Sequence, residues 1–437
     1  MSQDKQRQDI LDQVRDYALH RPPAPQFVPG QQAIPASGKV LGPDEFVNLV
    51  DASLDGWLTT GRYNAIFEEQ LAHYLGVEHA LTCNSGSSAN LLALTALTSP
   101  LLGERALKRG DEVITAAAGF PTTVNPILQN GLIPVFVDSQ IPSYNPSPET
   151  VAAAISPNTK AIMLAHTLGN PLEIAELKAI ADQHGLWLIE DCCDALGSEH
   201  GGRKVGTWGD IGTLSFYPAH HITMGEGGAV FTSNKLLKKI VESFRDWGRD
   251  CWCNPGCDNT CGKRFDWQHG ELPAGYDHKY VYSHAGYNLK ITDMQAALGL
   301  AQLSKIDGFV AARRQNFAYL HSLLQPLESF FILPEASPDS NPSWFGFPVT
   351  VRESAPFSRI DLLRFLDQRK IGSRLLFAGN LTKQPYFLER CYRTSGLLEN
   401  ADTIMQHTFW LGIWPGLGEA QLNYMAESIG DFCGINF

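Results

Sequence analysis

Two groups of side chains in this 437-residue chain are capable of chemistry by their type and spacing. The first is a pair of imidazoles, His220 and His221, in "LSFYPAHHITMGEGGAVF" at 214–231. That stretch reads as a buried strand, a polar turn and a glycine-rich entry into a second strand. With an ordinary pKa of about 6.5, an imidazole is a good base near neutral pH. The second group is six of the nine cysteines: Cys192, Cys193, Cys251, Cys253, Cys257 and Cys261. Nine are too dilute for a disulfide scaffold, and such clustering favours metal binding or catalysis. Cys83, Cys391 and Cys433 are scattered and read as small buried hydrophobes.

These residues need elements to hold them. From about residue 79 short apolar runs alternate with helical patterns. The runs "HALTCN", "DEVITAAA", "LIPVFVD", "KAIMLAH", "LWLIEDC", "DIGTLSFY" and "GAVFTS" predict seven strands, with helices over 87–100, 121–131, 147–156 and 172–184. Such alternation predicts an α/β fold with a mostly parallel sheet covered on both faces. Residues 291–327 carry one long amphipathic helical pattern leading into a smaller C-terminal α/β unit. The expected division is an arm over 1–44, a large domain over 45–300 and a small domain over 301–437. Residues 249–286, rich in Cys, Gly, Asp and aromatics, read as a long loop inserted in the large domain.

In parallel sheets ligands collect at the carboxyl ends of strands, and four features fall there. "NSGSSAN" at 84–90 opens a helix, where free N–H groups and the hydroxyls of Ser87 and Ser88 could hold a phosphate. Phe120 could cover a flat heteroaromatic ring. Asp191, closing "LWLIED", is either a surface residue or the partner of a buried cation such as a pyridinium nitrogen. Ser215 offers another hydroxyl.

Composition narrows the function classes. A net charge of −12 argues against nucleic-acid binding, but not against an anionic small molecule in a locally positive pocket. No apolar run approaches the roughly 20 residues of a membrane span, and the polar N-terminus is no secretory signal. A cytoplasmic enzyme is expected.

Several long motifs, taken in order, resemble one family: sugar aminotransferases acting on nucleotide-linked keto-sugars, within the type I fold of pyridoxal-phosphate enzymes. They are "GRYNAIFEEQLAHYLGVEHALTCNSGSSA", "EDCCDALGS", "GDIGTLSFYPAHHITMGEGGAVFTS" and "AGYNLKITDMQAALGLAQL", and the likeness covers roughly 45–430. The resemblance implies that Gly86, Ser87, Ser88 and Ser215 hold the cofactor phosphate. It implies that Phe120 stacks on the ring and Asp191 pairs with its nitrogen. Asn288 would reach the neighbouring subunit's phosphate, which implies a homodimer.

In the family pattern the cofactor-binding lysine stands five residues after the Ser of "SF". Here that position is His220. Imidazole forms no stable imine, and neither Lys204 nor Lys235 falls in the motif. The cofactor is therefore expected to be held noncovalently as pyridoxamine phosphate, with His220 as the base at its C4′ carbon. Without the lysine, proton loss that expels a hydroxyl is favoured over amine transfer. Asp194, where the family commonly has Gln or His, and Tyr217, where His is frequent, would lie near the ring. His221 is expected to be structural.

Cys193 is two residues past Asp191, and the loop supplies "CWCNPGCDNTC". One strand-end thiolate and three from the loop could bind zinc or an iron–sulfur cluster, and spacing alone favours zinc. A place beside the cofactor ring favours an electron carrier instead. Together with His220, the set resembles the iron–sulfur 3-dehydrase branch of the family, which deoxygenates CDP-4-keto-6-deoxy-D-glucose toward 3,6-dideoxyhexoses of surface polysaccharide. That resemblance implies a [2Fe–2S] cluster on Cys193, Cys251, Cys253 and Cys261. It also implies electrons from a separate NADH-dependent iron–sulfur flavoprotein reductase. Cys257 and Cys192 are alternatives within the same reach. Arg374 and Phe345 are expected to face the sugar nucleotide. Competing readings are a non-redox dehydratase of GDP-linked sugars, an ordinary sugar aminotransferase, and a noncatalytic zinc protein.

Overall fold

The computed structural model describes residues 3–22, 25–253 and 256–435. The outermost residues of the expected arm and small domain, and 254–255 of the loop, therefore lie outside it. All seven predicted strands form. They lie side by side in the order His79–Cys83, Gly228–Thr232, Ile211–Ser215, Trp187–Asp191, Thr159–Ala165, Glu112–Ala116 and Ile133–Val137. Only Gly228–Thr232 runs against its neighbours.

Alternation along each strand sends successive side chains to opposite faces. Met163 and Ile189 join the core under the helices Gly86–Ala96 and Lys235–Arg245. Ile162, Leu164 and Leu188 point the other way, onto Ile174–His184. Burial on both faces explains why these runs are almost continuously apolar.

The sheet has eight strands, not seven. Arg393–Thr394, from the C-terminal part of the chain, pairs in parallel with Ile133–Val137. Two residues are too few for a periodic signal, and a side-chain contact fixes them: Arg393 donates from Nε and Nη2 to the two oxygens of Glu112 at 3.0 and 2.8 Å.

The pattern at 291–327 is likewise divided, into Asp293–Leu303 and Ile306–Leu324. The break at Ser304–Lys305 is held by Lys305, whose Nζ lies 2.6 and 2.7 Å from the oxygens of the fully buried Glu45. A second, antiparallel sheet orders Phe331–Ile332, Gly346–Val351, Thr408–Gly412 and Ser373–Leu375 around a core that includes Leu320, Phe347, Phe409 and Met425.

The helix Gln3–Leu19 buries none of its residues and rests on Pro43–Leu54 through Arg7, which reaches Asp51 and Asp55. The inserted segment is mostly irregular, with a single turn of 3₁₀ helix at His278–Tyr280. Its two legs cross at Gly248, which has φ 82° and lies so close to the His284 carbonyl that a Cβ would collide with it.

Candidate active site

A cavity of about 730 Å³ opens at the carboxyl ends of the parallel strands, within the range of small-molecule sites. Its floor is built from strand ends. Asp191, 4% exposed, closes the central strand. Its Oδ2 accepts hydrogen bonds from Asn90 Nδ2 and Thr123 Oγ1, both at 2.7 Å, and its Oδ1 from the Cys193 N–H at 3.1 Å. Asn90 in turn accepts from Thr213 at 2.7 Å. The carboxylate is therefore fixed in place and facing the cavity.

Gly86 begins a helix capped by Ser85, whose Oγ accepts from the Ser88 N–H. A Cβ on Gly86 would collide with Ser215, lying 2.8 Å from its Oγ, and would stand 3.0 Å from Cys193 Sγ. Only glycine lets the helix N-terminus approach this closely. Gly86, Ser87 and Ser215 line the cavity. Ser88 does not, because its hydroxyl pairs with the Ser85 cap at 3.0 Å. The free N–H groups at the helix start, the two cavity hydroxyls and the oriented carboxylate opposite them fit a phosphorylated pyridine cofactor.

The wall above is the turn Tyr217–His220, closed by the His220 N–H donating to the Tyr217 carbonyl at 2.9 Å with Pro218 at the second position. It presents Tyr217 and His220 to the cavity. His220 Nδ1 lies 3.4 Å from Asp194 Oδ1, in ion-pair reach but without an aligned hydrogen bond. Burial pushes the Asp194 carboxyl up, and His220 opposes that. The Phe345 ring packs on the imidazole at 5.3 Å. His221 points away: its Nε2–H donates to the Ser343 carbonyl at 2.8 Å, and burial holds it well below the ordinary histidine range. It is a neutral structural residue.

Phe120 stands half exposed at the mouth, edge-on to Phe377 at 5.5 Å. Arg374 also lines the cavity, and its Nη1 donates to the carbonyl of the preceding Ser373 at 2.8 Å. Thr123, Asn90, His166, Gln384 and Tyr386 belong to the site or its support and were missed in the sequence. Thr123, three residues past Phe120 in "GFPTTVN", lies in the first turn of the helix Pro121–Gln129, where no local pattern marks a supporting role. His166 is set by Glu190: Nδ1 accepts from the Leu172 N–H, so Nε2–H donates to Glu190 at 3.1 Å.

Asn288 lies exposed, away from the cavity, in a short bridge with Asp246. The four expected metal ligands are split. Cys251, Cys253 and Cys261 line one small pocket with His278, whereas Cys193 lines the cofactor cavity. Cys257 is exposed and Cys192 is buried against the Glu190 carbonyl.

Residues 41–430 match the DegT/DnrJ/EryC1/StrS aminotransferase family. The chain belongs to that family. It is 61% identical, over the whole of both chains, to the lipopolysaccharide biosynthesis protein RfbH of Salmonella typhimurium. It is 54% identical to a dTDP-4-dehydro-2,6-dideoxy-D-glucose 3-dehydratase of Saccharopolyspora spinosa, over 97% of this chain and 91% of that one. A crystal structure of a GDP-4-keto-6-deoxymannose-3-dehydratase mutant with bound GDP-perosamine aligns with a TM-score of 0.82 at 26% identity, covering 90% of this chain and 99% of that one. An Escherichia coli enzyme of that name with bound hydrated PLP aligns at 0.81 and 26%, covering 90% and 98%. The fold is that of the pyridoxal-phosphate aminotransferases, and the DegT family likeness expected from the sequence holds.

Proposed function

We propose that this DegT-family chain is a pyridoxamine-phosphate-dependent 3-dehydratase of nucleotide-linked 4-keto-6-deoxyhexoses. One observation carries the reading: among the described residues no lysine lines the cavity, and His220 occupies the wall where an anchoring amine would stand. The names of its relatives support sugar 3-dehydration and lipopolysaccharide synthesis. When bound, the cofactor supplies the amine that condenses with the C4 ketone and an electron-poor ring that makes C4′ acidic. Asp191 keeps the ring nitrogen protonated. Gly86, Ser87 and Ser215 hold the phosphate, and Phe120 covers the ring at the mouth. His220 would take the C4′ proton as the hydroxyl leaves sugar C3, and Arg374, on the cavity lining, is a cationic handle for the anionic sugar nucleotide. An ordinary aminotransferase needs the missing lysine, and a zinc assembly protein leaves the cavity unexplained.

The finer proposal is that the substrate is CDP-4-keto-6-deoxy-D-glucose and that Cys193, Cys251, Cys253 and Cys261 hold a [2Fe–2S] cluster fed by an NADH-dependent reductase. It also includes a homodimer in which Asn288 reaches the partner's cofactor phosphate. Three thiols already share a pocket, which supports this reading. It requires the loop to bring them to Cys193. The alternative is a non-redox dehydratase like the GDP-linked enzymes, against which the four cysteines count and which an absence of iron would favour. Iron, sulfide and cofactor analysis of one anaerobic sample decides between them, with bound iron and sulfide expected.

The central test is His220→Asn. The variant is expected to keep its bound pyridoxamine phosphate and to lose exchange of the C4′ hydrogen with solvent. Exchange at the wild-type rate removes His220 as the base.

A further inference from the structure

Behind the wall that carries His220 lies Arg313, the largest fully buried side chain of the described residues. It stands within the helix Ile306–Leu324, outside the cofactor cavity. A buried guanidinium is costly unless its charge and donors are matched. Among the described residues Arg313 has no carboxylate within ion-pair distance. Its Nη1 instead donates to two successive carbonyls, of Trp344 at 3.1 Å and Phe345 at 3.0 Å. Burial pulls it down to about 10, with the charge of Asp194 opposing, so it remains cationic at neutral pH.

Its two acceptors belong to the peptide that aims the Phe345 ring. Phe345 N–H donates to the Leu168 carbonyl at 2.8 Å, and His221 holds the Ser343 carbonyl. The Phe345 carbonyl side is left to Arg313. The ring is 5.3 Å from the His220 ring, 5.4 Å from Trp410 and 5.8 Å from the Arg313 guanidinium. A proton abstractor must be held at a fixed angle. His220 Nδ1 has Asp194 at 3.4 Å but no aligned hydrogen bond, so the aromatic ring packed on the imidazole, Phe345, helps set that angle.

We infer that Arg313 is a positioning residue for His220, fixing the Phe345 peptide from behind the active-site wall so that the aromatic ring holds the imidazole toward the cavity. This rests on His220 acting at C4′, as proposed above.

The test measures C4′ hydrogen exchange per bound pyridoxamine phosphate in the full-length holoprotein. A role confined to stability would lower the amount folded and loaded without changing the rate per bound cofactor. Arg313→Lys keeps the charge but loses the planar fork. It is expected to bind the cofactor as the wild type does and to exchange about tenfold more slowly, with Arg313→Met slower still. Phe345→Leu, which leaves Arg313 in place, is expected to reproduce the slow exchange and keeps the test open if Arg313 variants fail to fold. Wild-type exchange per cofactor in Arg313→Lys or in Phe345→Leu overturns the inference. Absence of exchange in the wild-type protein overturns the His220 reading itself, and this inference with it.

Discussion

At the scale of single residues, the site is a set of groups whose freedom has been removed by their neighbours. Asp191 is the clearest case, with donors from Asn90, Thr123 and the Cys193 amide fixing both oxygens. An asparagine there keeps the shape but removes the negative charge from the ring nitrogen. A hydrogen bond to a charged group contributes about 1.5–3 kcal/mol, or roughly tenfold to a hundredfold in affinity. Asp191→Asn is therefore expected to weaken pyridoxamine phosphate by that factor, read by fluorescence titration; an unchanged dissociation constant would remove the ring-nitrogen role. Residue types were legible where a chemical group closes an apolar run: Asp191, Ser215 and His220 all stand at or just beyond the ends of such runs. Ser88, one position further along than Ser87, turns its hydroxyl to the Ser85 cap instead of the cavity. Asn90 and Thr123 were invisible because their role is to hold another side chain, and no local pattern marks that.

At the scale of elements, strand existence was written in apolar runs, whereas the edge of the sheet was not. The eighth strand depends on the forked pair Arg393–Glu112, joined across 281 residues of chain. The Arg393 hydrogen bonds, assisted by Ser156, hold the Glu112 carboxyl below its ordinary range. A depressed folded pKa means that Glu112 binds protons less readily when folded. Its stabilising contribution is thus complete above the unfolded value of about 4.3 and disappears as pH falls through the folded value. Glu112→Gln is expected to lower the urea midpoint at pH 7, and the gap to wild type is expected to close as pH falls below about 4. A gap that persists in acid would show that packing, not the ion pair, fixes the edge. The break in the long helical pattern has the same origin. Lys305 looks like any exposed helix residue until Glu45, far away in sequence, comes to meet it.

At the scale of the whole molecule, the question is how a loop from one side of the cofactor cavity relates to the cysteine inside it. The sequence grouped four thiols by function, but the fold distributes them over two environments with different chemistry. Cys193 is half-buried beside Asp191 and Asp194, and desolvation followed by the Asp191 charge pushes its thiol well above the ordinary range. Burial also pushes Cys253 up, but the Thr260 hydroxyl, which donates to its Sγ at 3.0 Å, and further hydrogen bonds more than offset this and leave it below the ordinary value. Thiolate is the nucleophile, so the iron-free chain should be alkylated by iodoacetamide at Cys253 well before Cys193. Peptide mapping over a time course reads the order directly. If the two thiols react together, the loop already lies over the cavity and shares its environment. If Cys253 leads in the iron-free protein and is protected once iron and sulfide are restored, the metal is what joins the loop to the cofactor site.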